Sequence, residues 1–235
     1  MLFNSGTFVF VFLPLTLLGF FLLGAKGWVR AAKAWLVISS AVFYGWFRFD
    51  YLFLLGGLIV FNYLWGIRLS RARRQERSRR IELTIGICAN LCVLGFFKYT
   101  NFALDNIAAL TGRGFDAIEI LLPIGISFFT FQSIAYLIDA YRGVSEEYDP
   151  LDFSLFIMFF PQLIAGPIVH HKEMIPQFRE PTVGRFVGAD LACGLTLFAM
   201  GLLKKIGIAD VLSRWADPLF AAADAGDVLT FVDAW

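Results

Sequence analysis

Two stretches of this 235-residue chain concentrate the side chains that could do chemistry. The first is Pro123–Arg142, PIGISFFTFQSIAYLIDAYR. Within it Gly125, Gln132, Tyr136 and Asp139 recur at spacings of seven, four and three, which sets them along one face of a helix. An amide and a carboxylate in so apolar a run are costly against lipid, so the stripe is expected to face protein or a watery cavity. Two roles are open to it. It could be glue, with Gln132 bonding a neighbouring helix and Asp139 pairing with Arg142, or it could line a site.

The second stretch is Phe159–Phe178, FFPQLIAGPIVHHKEMIPQF, which holds Gln162 and the chain's two histidines, His170 and His171. Histidine is a general base near neutral pH, and moving an acyl group onto a hydroxyl needs such a base. Adjacent positions on a helix point about 100° apart, so the pair is not expected to address one reacting atom. No third ligand stands at metal-site spacing, and no metal is expected. The plainer reading is an interfacial pair at a membrane boundary. The three cysteines cannot form a disulfide framework, and Cys88 and Cys92, four residues apart, read as small packing residues.

The elements that must position these residues follow from composition. Hydrophobic residues make up 58% of the chain and charged residues 17%, with 27 phenylalanines, and the mean hydropathy is +0.69. Soluble chains run near ~45–50% apolar and ~25% charged. The excess points to an all-α, polytopic integral membrane bundle. A helix needs ~20 mainly apolar residues to cross a bilayer, and the charge-poor runs give spans near 8–24, 34–47, 51–67, 82–98, 119–140, 152–168 and 187–205. These form the N-terminal portion of one transmembrane domain. Residues 1–25 carry no charge and no basic run precedes their apolar core, so the first span is read as retained rather than as a cleaved signal. Pro161, Gly166 and Pro167 interrupt 152–168 and mark it as re-entrant. Asn101–Leu110 reads as interfacial, Gly112–Gly114 as a loop, and the last span as a helix ending at Lys204 and Lys205.

Charge sets the orientation. Residues 1–100 carry 12 Lys and Arg against 3 Asp and Glu, whereas residues 101–235 carry 8 against 16. Arg68–Arg80, RLSRARRQERSRR, is a basic loop between spans. It reads as a positive-inside cytoplasmic segment touching anionic lipid, not as a nucleic-acid patch. Lys26, Arg30 and Lys33 fall on the same side, and the N-terminus falls on the far side. No P-loop, G-x-G-x-x-G, H-E-x-x-H or G-x-S-x-G is present, so NTPase, nicotinamide-dehydrogenase, zincin and serine-hydrolase readings gain nothing. Broken helices with intramembrane Asp and Gln also suit a transporter-like protein, and a non-catalytic membrane scaffold is a further alternative.

LPIGISFFTFQSIAYLIDAYRG (Leu122–Gly143) and FFPQLIAGPIVHHKEMIPQF resemble two signature stretches of the membrane-bound O-acyltransferase family. The opening MLFNSGTFVFVFLPL and the FFKYTNF at Phe96–Phe102 are similar to that family's bacterial, alginate-type branch. The resemblance implies a multi-helix enzyme of the bacterial inner membrane. It would pass an acyl group across the bilayer for O-acetylation of an extracytoplasmic polysaccharide such as alginate. The implied donor is a thioester such as acetyl-CoA, engaged from the cytoplasm with no bound cofactor. The implied partner is a periplasmic acyltransferase or polysaccharide-modifying protein. In this family helices surround a funnel, which Gln132, Tyr136, Asp139 and Gln162 would line, with His170 and His171 at its mouth or against lipid. The family's catalytic histidine lies in a later region that nothing in Met1–Trp235 matches. No catalytic residue is therefore assigned here, and the expectation is an N-terminal portion that is inactive alone.

Overall fold

The computed structural model describes residues 1–71, 76–111, 120–144, 149–164, 166, 170–180, 182–226 and 230. Among them there is no strand, and every regular element is a helix. Among the described residues four helical segments are long and apolar enough to cross a membrane: Phe8–Ala25, Asp50–Ser70, Ser78–Thr111 and Gly188–Asp224. The chain divides into two compact units. One is Thr16–Gly184, and the other is Met1–Leu15 with Arg185–Trp235.

The helices are α1 (Leu13–Ala25, preceded by a π-wound Phe8–Phe12), α2 (Val29–Gly45), α3 (Asp50–Arg71), α4 (Glu76–Thr111), α5 (Ile126–Arg142), α6 (Pro150–Met158), α7 (Phe160–Leu163), α8 (His171–Gln177), α9 (Gly188–Leu203) and α10 (Asp210–Asp224). Several bounds differ from the sequence reading. The Arg68–Arg80 loop is largely helix, since α3 runs to Arg71 and α4 starts at Glu76. Helix α4 has 36 residues, about 54 Å at 1.5 Å per residue. It thus absorbs both the 82–98 span and the supposedly separate Asn101–Leu110. The proposed Gly112–Gly114 loop lies outside the described residues. Cys88 and Cys92 are exposed on the outer face of α4, not packed within it.

In the Thr16–Gly184 unit, α5 packs against α3, α4 and α6. Nine of its 17 residues are buried, among them Phe129, Tyr136 and Leu137. It begins at Ile126 because Gly125, at φ +77°, lies outside the helical region. A Cβ on Gly125 would sit 2.5 Å from the Leu163 carbonyl oxygen, so this position needs glycine for space as well as for conformation. Helices α3 and α4 are joined by a reciprocal amide pair. Asn62 Nδ2 donates to Asn90 Oδ1 at 3.0 Å and Asn90 Nδ2 donates to Asn62 Oδ1 at 2.8 Å, both side chains being fully enclosed. Such pairs hold helices together where lipid offers no hydrophobic drive.

The 152–168 run does break, as its prolines require. Helix α6 ends at Met158, Phe159 is non-helical (ψ 112°), and α7 opens with Pro161 in its first turn. The freed groups find new partners. Phe160 N–H donates to Ser40 Oγ of α2 at 3.2 Å, and the Phe156 carbonyl accepts from Gln162 Nε2 at 2.8 Å. This is how an interrupted helix stays satisfied at membrane depth.

In the second unit the ring of Phe8, which is buried, stacks on Phe12 with centroids 5.6 Å apart and lies 6.3 Å from Phe198. Lys204 and Lys205 do not end the last helix. A π-wound turn, Lys204–Ala209, carries α9 straight into α10.

Candidate functional site

The inward face of α5 presents Gln132, Tyr136 and Asp139, all buried. Opposite Asp139 stands the start of α8. His170 is not helical there. It is the residue before the helix, in an extended conformation (φ −76°, ψ 139°), and His171 is the first helical residue. The 100° separation assumed for two helical neighbours therefore does not apply. His171 Nε2 lies 2.9 Å from Asp139 Oδ2, and His170 Nδ1 lies 3.7 Å from the same oxygen. His171 has no exposed surface, whereas the His170 side chain is half exposed. The two histidines, read from the sequence as an interfacial pair at a membrane boundary, thus differ in burial. Asp139 is held by imidazoles instead of by Arg142.

Packing fixes the His171 ring further. Tyr136 and Phe156 meet it edge to face, with centroids 6.0 and 5.9 Å away. Tyr136 in turn occupies a notch at Gly66 of α3, where a Cβ would lie 2.3 Å from its ring. Burial pushes the His171 imidazole below its ordinary value, while the hydrogen bond and charge of Asp139 pull the other way. A neutral imidazole beside a carboxylate can hold a proton, pass one, or ligate a cation.

A second polar group, which the sequence did not single out, joins α2 to α6. Lys33 Nζ lies 2.6 Å from Asp152 Oδ1, and Arg179 Nε donates to Asp152 Oδ2 at 3.2 Å. Lys33 and Asp152 are buried. Nearby, Asp149 caps α6 by accepting from Leu151 N–H at 2.9 Å and pairs with Arg30 at 3.1 Å. The available signal was an unpaired Asp152 within an apolar run; its partner Lys33 is 119 residues away.

These groups share one end of the unit with the arginine-rich segment. Arg68 pairs with Glu82 across α3 and α4, and Arg79 bonds the Tyr141 carbonyl at the end of α5. At the opposite end the Tyr51 hydroxyl bonds the Leu121 carbonyl, beside a cavity of about 110 Å³ bordered by Tyr44, Arg48 and Leu122.

A larger open cleft, about 550 Å³, runs along α7 and α8 and is bordered by Phe20, Phe159, Gln162, Met174, Gln177 and Glu180. The Gln162 amide nitrogen, besides capping Phe156, lies 3.0 Å from Met174 Sδ. Of the six residues singled out, Gln162 borders this cleft, while Asp139, His170 and His171 form a separate cluster with Tyr136 against it. Gln132 is buried higher on α5. Ala165 and Pro167 of the A-G-P-I segment lie outside the described residues.

Fold and site together define a polytopic helical membrane protein that encloses ionisable groups between broken helices. The chain belongs to the membrane-bound O-acyltransferase family, whose profile matches residues 7–232. It is 43% identical to a protein of Pseudomonas aeruginosa named probable alginate O-acetylase AlgI, over the whole of this chain and 44% of that protein. It is 40% identical to the peptidoglycan O-acetyltransferase of Helicobacter pylori, over the whole of this chain and 49% of that protein. The corresponding protein of Azotobacter vinelandii is 43% identical over 46% of its length. The chain thus spans about half the length of the curated relatives it matches. No solved structure matches it.

Proposed function

We propose that the protein works in membrane O-acetyl transfer, as part of an enzyme that moves an acetyl group across the bacterial inner membrane to an extracytoplasmic polysaccharide. The observation that carries this reading is the family match over residues 7–232 together with relatives named for O-acetylation of alginate and of peptidoglycan. Both polymers offer sugar hydroxyls, so the acceptor class is a polysaccharide hydroxyl, with alginate the leading case.

The donor is a thioester such as acetyl-CoA, met at the arginine-rich end. Positive charge at Arg68, Arg79 and Arg80 suits the cytoplasmic side and the phosphates of such a donor. In this orientation the N-terminus is periplasmic, and a periplasmic partner protein receives the acetyl group. The α7–α8 cleft, with Gln162 on its border, forms part of the funnel wall. Gln132, Tyr136, Asp139 and His171 are buried in the bundle and brace that wall, and the half-exposed His170 is the histidine left to face its mouth.

The test is genetic and chemical. The gene is deleted, and O-acetate released from envelope polysaccharide by mild alkali is measured before and after complementation with the gene as encoded. Loss on deletion and recovery on complementation support the proposal, and unchanged O-acetate in the deletion strain refutes it.

A further inference from the structure

Asp139, His170 and His171 come from two elements, yet one potential ligand atom from each lies within 4.8 Å of the other two. We propose that these residues bind one zinc-type divalent cation, through Asp139 Oδ2, His170 Nδ1 and His171 Nε2. Two imidazoles and a carboxylate suit Zn²⁺, which takes such ligands at about 2.0–2.1 Å in tetrahedral geometry. Bonds of that length hold ligand atoms about 3.3 Å apart. The two separations from Asp139 Oδ2, 2.9 and 3.7 Å, bracket this value, and the two imidazole nitrogens, within 4.8 Å of each other, would close by at most about 1.5 Å to seat the ion.

The cluster is also built to hold a fixed geometry. The extended backbone at His170 brings both imidazoles to one side of α8. Tyr136 and Phe156 fix the plane of the enclosed His171, and the last turns of α5 fix Asp139. Lys33 and Arg179 are paired with Asp152 and do not occupy the Asp139 carboxylate; Lys172, next to His171, adds a positive charge that the bound cation must outweigh. The half-exposed His170 side chain gives the cluster contact with solvent, from which a water would serve as fourth ligand. Bound there, the ion ties α8 to the end of α5; in its absence the Asp139–His171 hydrogen bond joins the same two elements. This inference is independent of the acetyl-transfer reading.

The test uses the full chain, purified in mild detergent with a tag free of histidine, stripped with chelator and dialysed against Zn²⁺ or Co²⁺. Elemental analysis should give about one Zn²⁺ per chain, and Co²⁺ should give the intense visible absorption of a tetrahedral site. His170→Ala should weaken binding by about tenfold or more while leaving the unfolding midpoint in chelator unchanged, because its side chain is half exposed. Asp139→Asn and His171→Ala should abolish binding, and His171→Cys should retain Zn²⁺ through a thiolate. Substoichiometric metal after dialysis, an octahedral Co²⁺ spectrum, or wild-type affinity in His170→Ala would each overturn the proposal.

Discussion

Helices α5 and α9 have 17 and 16 residues and are both dominated by apolar side chains, but α5 buries nine of its residues and α9 buries none. Their polar residues account for the difference. Helix α5 carries Thr130, Gln132, Ser133 and Asp139 on its buried face. The polar side chain in the middle of α9, Thr196, returns its hydroxyl to its own helix at the Ala192 carbonyl, 2.8 Å away. In a bilayer both lipid and protein accept leucine, so apolarity says that a helix is in the membrane but not which face meets protein. Small and polar groups, which need partners or close approach, specify the packed face.

The comparison can be broken most sharply at the charges beside α5. Asp152→Ala leaves the Lys33 ammonium buried without its counter-charge, a situation that costs about 3–5 kcal/mol. The unfolding midpoint in mild detergent should drop steeply, and a midpoint equal to the parent's would mean that water reaches the triad. Next in size is the glycine contrast. Gly125→Ala forces a Cβ into a left-handed position 2.5 Å from the Leu163 oxygen and should destabilise by about 2–3 kcal/mol. The same change at Gly194 of α9 meets nothing within 4 Å and should be neutral or stabilising by up to about 1 kcal/mol.

Leucine truncation sharpens the difference at constant chemistry. Leu137 on α5 has no exposed surface, whereas Leu197 on α9 is 60% exposed. Because lipid is as apolar as the protein interior, the transfer part of the usual loss vanishes and the cavity part remains, about 1–2 kcal/mol for Leu137→Ala. Leu197→Ala should stay within about 0.5 kcal/mol. Paired thermal melts of the two variants would test this, and equal shifts would erase the distinction. The amide clasp between α3 and α4 should matter less than the packed leucine. Asn62→Leu should cost about 0.6–1.7 kcal/mol by stranding Asn90, and adding Asn90→Leu should recover part of it, which a double-mutant cycle can measure.

The sequence by itself determined the membrane class, the places of the four long apolar helices and the α5 stripe. Each is a local property: charge-free length sets a span, and a 3.6-residue period sets a helix face. The prolines of the 152–168 run likewise announced a break, because a missing N–H cannot be restored by anything downstream. Tertiary structure alone decided what met across the packing. Ser40 satisfies Phe160, Lys33 reaches Asp152 over 119 residues, and Asp139 turns to His171 rather than to Arg142 on its own helix. Helix-phase reasoning failed for the histidines because it assumed one regular helix through both. The chain in fact enters α8 between them, and that single extended residue aims two imidazoles at one carboxylate.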